Sequence, residues 1–292
     1  YGASYSNNDV VGIAYDADSG DLTFYKNGTS QGVISTGFGG DLVVYYFSDG
    51  SSNALVEGTV NFGQRPFAYT APIGYKALCT ANLPTPTIED GSDYVDAVTY
   101  TGNGSTQSIT GLGFSPDLVW LKSRSNTKHH SLFDSLRGTN LLYSSLTNAE
   151  QDYGTGNLSL NSDGFSITYN ATFTAVTQNH NSDSCVAWAW DAGSSTVSNT
   201  DGSITSSVRV NTSAGFSVVT AGAGGYFGGT VGHGLGVAPD FIILKDRDGT
   251  TGWRVYHSSM GDSKYGVLST TDAFASFSNL WNVSSTTFGS DK

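Results

Sequence analysis

The sequence predicts an all-β protein assembled from tandem β-sandwich-like modules, and three observations carry that reading. Charged residues make up only 13% of the 292 residues, while 37 glycines, 16 tyrosines and 15 phenylalanines stand among abundant Ser, Thr and Asn. That is the mixture short strands and tight turns require. Apolar residues come in short runs bounded by Gly, Asn or Asp rather than at helical spacing. Finally, a segment at 109–124 recurs at 232–247, a spacing of 123 residues.

At this length two or three domains are expected, each able to bury its own core. Residues 1–82 read as consecutive strands over Val10 to Tyr15, Leu22 to Lys26, Gln31 to Ile34, Leu42 to Phe47 and Val60 to Phe62. Leu22, Phe24 and Lys26 fall on one face of their strand, with Thr23 and Tyr25 on the other. Asn27-Gly28 then closes a hairpin, because a type I′ turn needs φ > 0 at both central positions.

The stretch VVGIAYDADSGDLTFYKNGTSQGV, followed by VNFGQRPFAYTAPIGYKAL, resembles the C-terminal half of a SPRY domain over Val10 to Leu78. The paired strands, the Asp-rich turn, the Asn-Gly turn and the NFG-x-x-PF segment come in that family's order. The resemblance implies a bent sandwich of the concanavalin type that presents ligand-binding loops and performs no catalysis. The family's first strands have no counterpart here, so the chain is expected to begin inside a domain. Leu83-Pro84-Thr85-Pro86-Thr87 then reads as an extended linker, assigned to 83–92.

In the repeat, ITGLGFSPDLVWLKSR aligns with GHGLGVAPDFIILKDR at eight identical positions, among them Asp117 with Asp240 and Lys122 with Lys245. Phe133, Ser135 and Gly138 extend the register to Tyr256, Ser258 and Gly261. In each copy a Gly-Leu-Gly turn and Pro-Asp precede an apolar run, Leu118 to Leu121 or Phe241 to Leu244. Continuous hydrophobicity of that kind suits a strand covered on both faces. The first copy is assigned to 93–195, with a capping box Thr147-x-x-Glu150 for one short helix and a closing strand Cys185 to Trp190. Residues 196–206 are assigned as linker and 207–292 as an incomplete second copy that lacks the closing strand, so the chain is expected also to end inside a domain.

The segments WLKSRS, LFDSLRG, SDGF and VAWAW of the first copy resemble an uncharacterised module of tail-fibre and virion proteins from marine and cyanobacterial phages, where it often follows a SPRY domain. What that resemblance implies is a fibre component; it lends no chemistry.

A net charge of −12 and scattered basic residues argue against nucleic acid, and no apolar run is long enough for a membrane helix. Cys79 and Cys185 are far apart in sequence, so a disulfide framework is not indicated and two ordinary buried thiols are expected.

Catalysis finds little support. Only Glu57, Glu89 and Glu150 are glutamates, and most Asp residues sit beside Gly or Ser, where Asx turns account for them. A glycosidase needs two converging carboxylates, and no G-x-S-x-G elbow occurs. His129-His130 and His233 are read as ordinary surface or core histidines, because the repeat partners of His130 and His233 are Trp253 and Thr110. GAGGYFGG at 222–229 lacks the Lys-Ser/Thr ending of a phosphate loop. No cofactor is expected. Ca2+ is the one ion worth carrying, on Asp16, Asp18 and Asp21 and on Asp246 and Asp248, where alternating carboxylates lie on tight turns. Trp253 and Trp281, in polar surroundings, are the candidates for stacking on sugar rings. Sequons start at Asn27, Asn103, Asn157, Asn170, Asn211 and Asn282.

The sequence thus points to a non-enzymatic structural or adhesive component of an extracellular or virion fibre. Its partners would be neighbouring copies, other fibre proteins or a host surface glycan. The alternative is a self-assembling filament whose subunits complete one another's sheets. A glycan-degrading tail-spike enzyme ranks third.

Overall fold

The computed structural model describes residues 3–35, 58–83, 85–173, 178–222, 228–277 and 280–290. The chain divides into two compact units, Tyr1–Pro86 and Thr87–Lys292. Both are all-β: apart from short 3-10 turns, the described residues contain no helix.

In the first unit β1 (Val11–Asp16), β2 (Asp21–Lys26) and β3 (Thr29–Ser35) form an antiparallel sheet in chain order. Asn27 and Gly28, at φ 50 and 79, join β2 to β3 opposite the Lys26–Thr29 pair, the backbone that a type I′ turn requires. Ala14, Leu22 and Thr23 are buried. The strand expected at Val60 to Phe62 is absent. Asn61 organises a turn instead: its Oδ1 accepts from the Gly63 and Arg65 N–H groups, and its Nδ2 donates to the Arg65 and Pro66 carbonyls. Local Asx bonding of this kind competes with strand pairing. The strand expected at Leu42 to Phe47 lies outside the described residues.

The second unit opens with a sandwich. Its strands are β4 (Val95–Thr101), β5 (Thr106–Thr110), β6 (Leu118–Ser123), β7 (Ser131–Asp134), β8 (Asn140–Tyr143), β9 (Gln151–Asp152), β10 (Leu158–Asn161), β11 (Gly164–Thr168) and β12 (Ser184–Trp190). One sheet runs β4-β12-β6-β7-β8-β9 and the other β10-β11-β5. Between them lies a core of Ile109, Leu158, Phe165 and Ile167 from the small sheet and Val119, Leu121, Phe133, Leu141, Ala187 and Ala189 from the large one.

Next come β13 (Thr196–Asn199), β14 (Ser206–Asn211) and β15 (Phe216–Ala221), a sheet of their own. Residues 196–206, read from the sequence as linker, therefore hold β13, an isolated bridge from Ile204 to Val231 and the first residue of β14. Alternation at Thr196-Val197-Ser198-Asn199 is too short to have signalled the strand.

The second copy follows as β16 (Gly229–Gly232), β17 (Phe241–Leu244), β18 (Arg254–His257), β19 (Lys264–Val267), β20 (Ala275–Ser276), β21 (Trp281–Val283) and β22 (Thr287–Ser290). Its sheets run β17-β18-β19-β20 and β16-β22-β21. Each strand from β5 to β11 thus recurs about 123 residues later in the same order within its sheet, except that among the described residues no strand takes the place of β12 beside β17. Val231, Ile242, Tyr256, Trp281 and Phe288 form its core. The capping box at Thr147 caps no helix, since Thr147–Glu150 has no regular structure.

The first apolar run has both faces covered, as its composition implied, whereas in the second Phe241 remains 55% exposed. Val119 and Leu121 point into the sandwich core, whereas Leu118 and Trp120 point the other way. There they join Leu132 and Leu142 of the first copy and meet Ile243 and Trp253 of the second, so the copies pack back to back through a second core. Trp253, 4% exposed, also donates its Nε1–H to the Tyr143 carbonyl at 2.7 Å. Trp253→Phe keeps an aromatic ring but removes that bond, leaving the Tyr143 carbonyl with the Leu146 N–H at 3.3 Å, and should cost about 0.5–1.5 kcal/mol in urea unfolding. Trp253→Ala also opens a cavity and should cost about 3–5 kcal/mol.

Candidate functional site

Where the first copy meets the β13-β14-β15 sheet, polar side chains gather along a cleft. Buried Pro116 leads into β6 and sets Asp117, 2% exposed, at the floor. Arg209, from β14, reaches across with its Nε 2.7 Å from Asp117 Oδ1 and donates from Nη2 to the Gly193 carbonyl. Asp117 Oδ2 accepts the Ala192 N–H at 2.8 Å. Beside them Asn211 donates to Asp191 at 2.8 Å. One lobe, of about 510 Å³, is lined by Ser115, Asp191, Gly193, Ser194, Arg209 and Asn211. The other, of about 330 Å³, continues past Asp117 to Asp134, Ser135 and Thr139.

Burial pushes the Asp117 carboxyl above the usual range, and Ser135, the Ala192 N–H and Arg209 oppose it without cancelling it. Asp134 is held in an ion pair: Arg137 Nε stands 2.5 Å from its Oδ2. Arg137 in turn reaches Glu150 at 3.5 Å, and Arg247 of the second copy grips Glu150 through two bonds of 2.7 and 3.0 Å. For Glu150, burial raises the pKa, but the Arg247 and Arg137 contacts outweigh it and the net shift is downward.

Acid/base catalysis asks for a carboxyl free to exchange a proton with substrate. In this cleft Asp117 and Asp134 each face a guanidinium. The arrangement is suited to holding a polar ligand, with hydroxyl, amide, carboxylate and guanidinium groups spaced along one groove.

The two tryptophans proposed to stack on sugars do not do so. Trp253 and Trp281 are 4% and 3% exposed, the first filling the inter-copy core and the second packed on Tyr256 with its Nε1–H donated to the Lys264 carbonyl at 3.1 Å. Polar sequence neighbours hid the fact that both indoles point inward. The Asp groups carried for Ca2+ serve as acceptors in their own turns. Asp16 Oδ1 accepts from the Asp18 and Ser19 N–H groups, leaving Asp18 and Asp21 with no third ligand beside them. Asp246 Oδ1 likewise accepts from Asp248 and Gly249. Among the described residues no three His, Cys, Asp or Glu side chains converge as ligands. Chelator and added Ca2+ should therefore leave the melting temperature unchanged in a calorimetric scan.

Of the sequon amides, five donate Nδ2, the atom a glycan would take, to a protein acceptor. Asn27 bonds Asp9, Asn103 the Thr106 carbonyl, Asn157 and Asn170 the Tyr153 carbonyl, and Asn211 Asp191. Asn282 is exposed. Both cysteines are free, and burial pushes the Cys185 thiol up to about 11. Of the 222–229 glycine segment, residues 223–227 lie outside the described residues.

Sequence reasoning passed over Asp117, Arg209, Asp134 and Arg137. Two signals were available: the Pro-Asp pair shared by both copies, and the Asp and Arg three apart in LFDSLRG.

A family model described as a domain of unknown function, DUF7483, matches residues 90–290, well over half of the chain. The chain belongs to this family. The DUF7483 match runs through both repeat copies and the sheet between them. A SPRY domain model matches residues 1–65, in the first unit. No match to the chain was found among curated proteins or among solved structures.

The DUF7483 domain also buries His233 and half-buries His130. His233, 1% exposed, accepts the Leu235 N–H at Nδ1 and lies 3.3 Å from the Ser284 carbonyl through Nε2, which fits the neutral Nε2–H tautomer. Burial lowers its pKa, as it does for His130, where Lys122 adds to the effect. The unfolded chain therefore binds more protons once pH falls below the ordinary histidine value of about 6.5. Stability from these groups is complete above that value and lost beneath it. Urea midpoints should fall between about pH 7.5 and 5.5, and less so in His233→Gln, which cannot take up the proton.

Proposed function

We propose that this chain is a non-enzymatic structural and adhesive segment of an extracellular or virion fibre, of the phage tail-fibre type, whose polar cleft holds a glycan of the host surface. The single observation that carries the adhesive part is the groove of Ser115, Asp191, Ser194, Arg209 and Asn211. Arg209 is held by Asp117 and the Gly193 carbonyl, and Asp191 by Asn211 and the Gly193 N–H, so these groups are preorganised, and preorganised donors and acceptors favour sugar hydroxyls at low entropic cost. The non-enzymatic part is supported by the engagement of all three cleft carboxylates, Asp117 and Asp134 with arginines and Asp191 with Asn211 and the Gly193 N–H. A SPRY domain placed before the DUF7483 domain supports the fibre reading, because that order resembles the one in phage fibre proteins.

The test is retention of fluorescent bacterial surface polysaccharides on the immobilised full chain. Wild type should retain at least one class, and Ser194→Trp, which fills the cleft from an exposed position without touching a core, should lose at least about 90% of it, as expected where one well-packed contact carries over a kcal/mol. Equal retention by both proteins, or none by either, would contradict the reading.

A further inference from the structure

Ser115 and Arg209 line both lobes of the cleft, so the lobes meet at these two side chains. At about 510 and 330 Å³, each lobe is of a size that holds a small organic group. A ligand occupying both would have to be a chain of at least two such groups.

The charges along the groove do not balance. Arg209 is the one basic residue among those lining it, and its guanidinium is engaged by Asp117 and by the Gly193 carbonyl. Asp134 has Arg137. Asp191, by contrast, is met among the described residues by neutral donors alone, Asn211 Nδ2 at 2.8 Å and the Gly193 N–H at 2.6 Å. Three carboxylates thus face two guanidiniums, and the surplus negative charge sits in the larger lobe. A ligand carboxylate, sulfate or phosphate would enter against that surplus, and like-charge juxtaposition is a strong discriminator between ligands.

Hydroxyl chemistry is what the groove offers instead. Ser115 and Ser194 are exposed in the larger lobe, where each Asp191 oxygen also keeps a second lone pair. In the smaller lobe the exposed Ser159 and the half-buried Thr139 stand beside the half-buried Leu160, a polar edge next to an apolar surface that suits the hydroxyls and the C–H face of one sugar ring.

We propose that the ligand of this cleft is an uncharged oligosaccharide, with one sugar unit beside Asp191 and the next beside Ser159, and that the Asp191 carboxylate rejects acidic sugars. The proposal rests on the glycan-binding reading above and adds to it the charge class and the minimum length of the glycan. Arg209, pinned between the lobes, stands where the two units join.

The experiment measures binding of 1,4-linked glucan, mannan and galactan oligosaccharides to the immobilised full chain, each beside its monosaccharide and beside the same oligosaccharide oxidised at C6 to the carboxylate. At least one uncharged oligosaccharide should bind, about tenfold or more tighter than its monosaccharide, because the second unit adds its contacts within one molecule. Its carboxylate form should bind at least about tenfold more weakly. Asp191→Asn, which keeps the shape and removes the charge, should narrow that gap by about threefold. Ser194→Trp and Ser159→Trp, which fill one lobe each from exposed positions, should both abolish the preference for the longer ligand. Tighter binding of the carboxylate form, or binding that Ser194→Trp abolishes and Ser159→Trp leaves intact, would overturn the proposal while leaving the cleft a glycan site. Binding of none of these sugars would overturn the glycan reading with it.

Discussion

A strand that is apolar on both faces has to be covered on both faces, and the architecture beyond residue 87 follows from that constraint. In β6, Val119 and Leu121 face the small sheet of their own sandwich, and Leu118 and Trp120 face away from it. β7 and β8 repeat the division, with Phe133 and Leu141 turned to one core and Leu132 and Leu142 to the other. Left open to water, that outer face would be an apolar patch of the kind soluble proteins seldom expose. The second copy supplies the cover through Ile243 and Trp253. The duplication thus does more than lengthen the chain: each copy is part of the other's solvent shield.

Once the copies are joined, the polar groups around the join are drawn into fixed roles. Glu150 lies between Arg137 of its own copy and Arg247 of the other, and the Glu150 N–H donates to the Arg247 carbonyl at 2.8 Å. Arg247 is 38% exposed, so its pair with Glu150 holds register more than it adds stability, because solvent screens most of the Coulombic gain. The two copies nevertheless diverge at one identical residue. Asp117 is buried against Arg209 and the end of β12, whereas Asp240 is exposed, and among the described residues a second strand lies beside β6 but none beside the outer edge of β17.

Local chemistry was the most legible part of the sequence. Asn27-Gly28 announced its turn because only a few residues tolerate two positive φ values, and Phe241 to Leu244 announced its strand because four apolar residues in a row suit burial on both faces. The repeat register carried over to the strand order. What stayed hidden depends on partners distant in sequence. Glu150 looked like a helix cap and is an inter-copy ion-pair acceptor. Trp253 and Trp281 looked exposed by their neighbours, although indole orientation is decided by the sheet beneath. Asp117 and Arg209 are 92 positions apart, so no spacing rule could join them. In each case a long-range contact, rather than a propensity, chose the role.

A double-mutant cycle between Leu132 and Trp253 tests the back-to-back join most directly, since the two lie in one core yet belong to different copies. With urea unfolding of wild type, Leu132→Ala, Trp253→Ala and the double variant, the account predicts a coupling energy between about 0.5 and 3 kcal/mol, as for residues that share a cavity. Losses that simply add would mean that the two copies do not share this core, and would contradict the account.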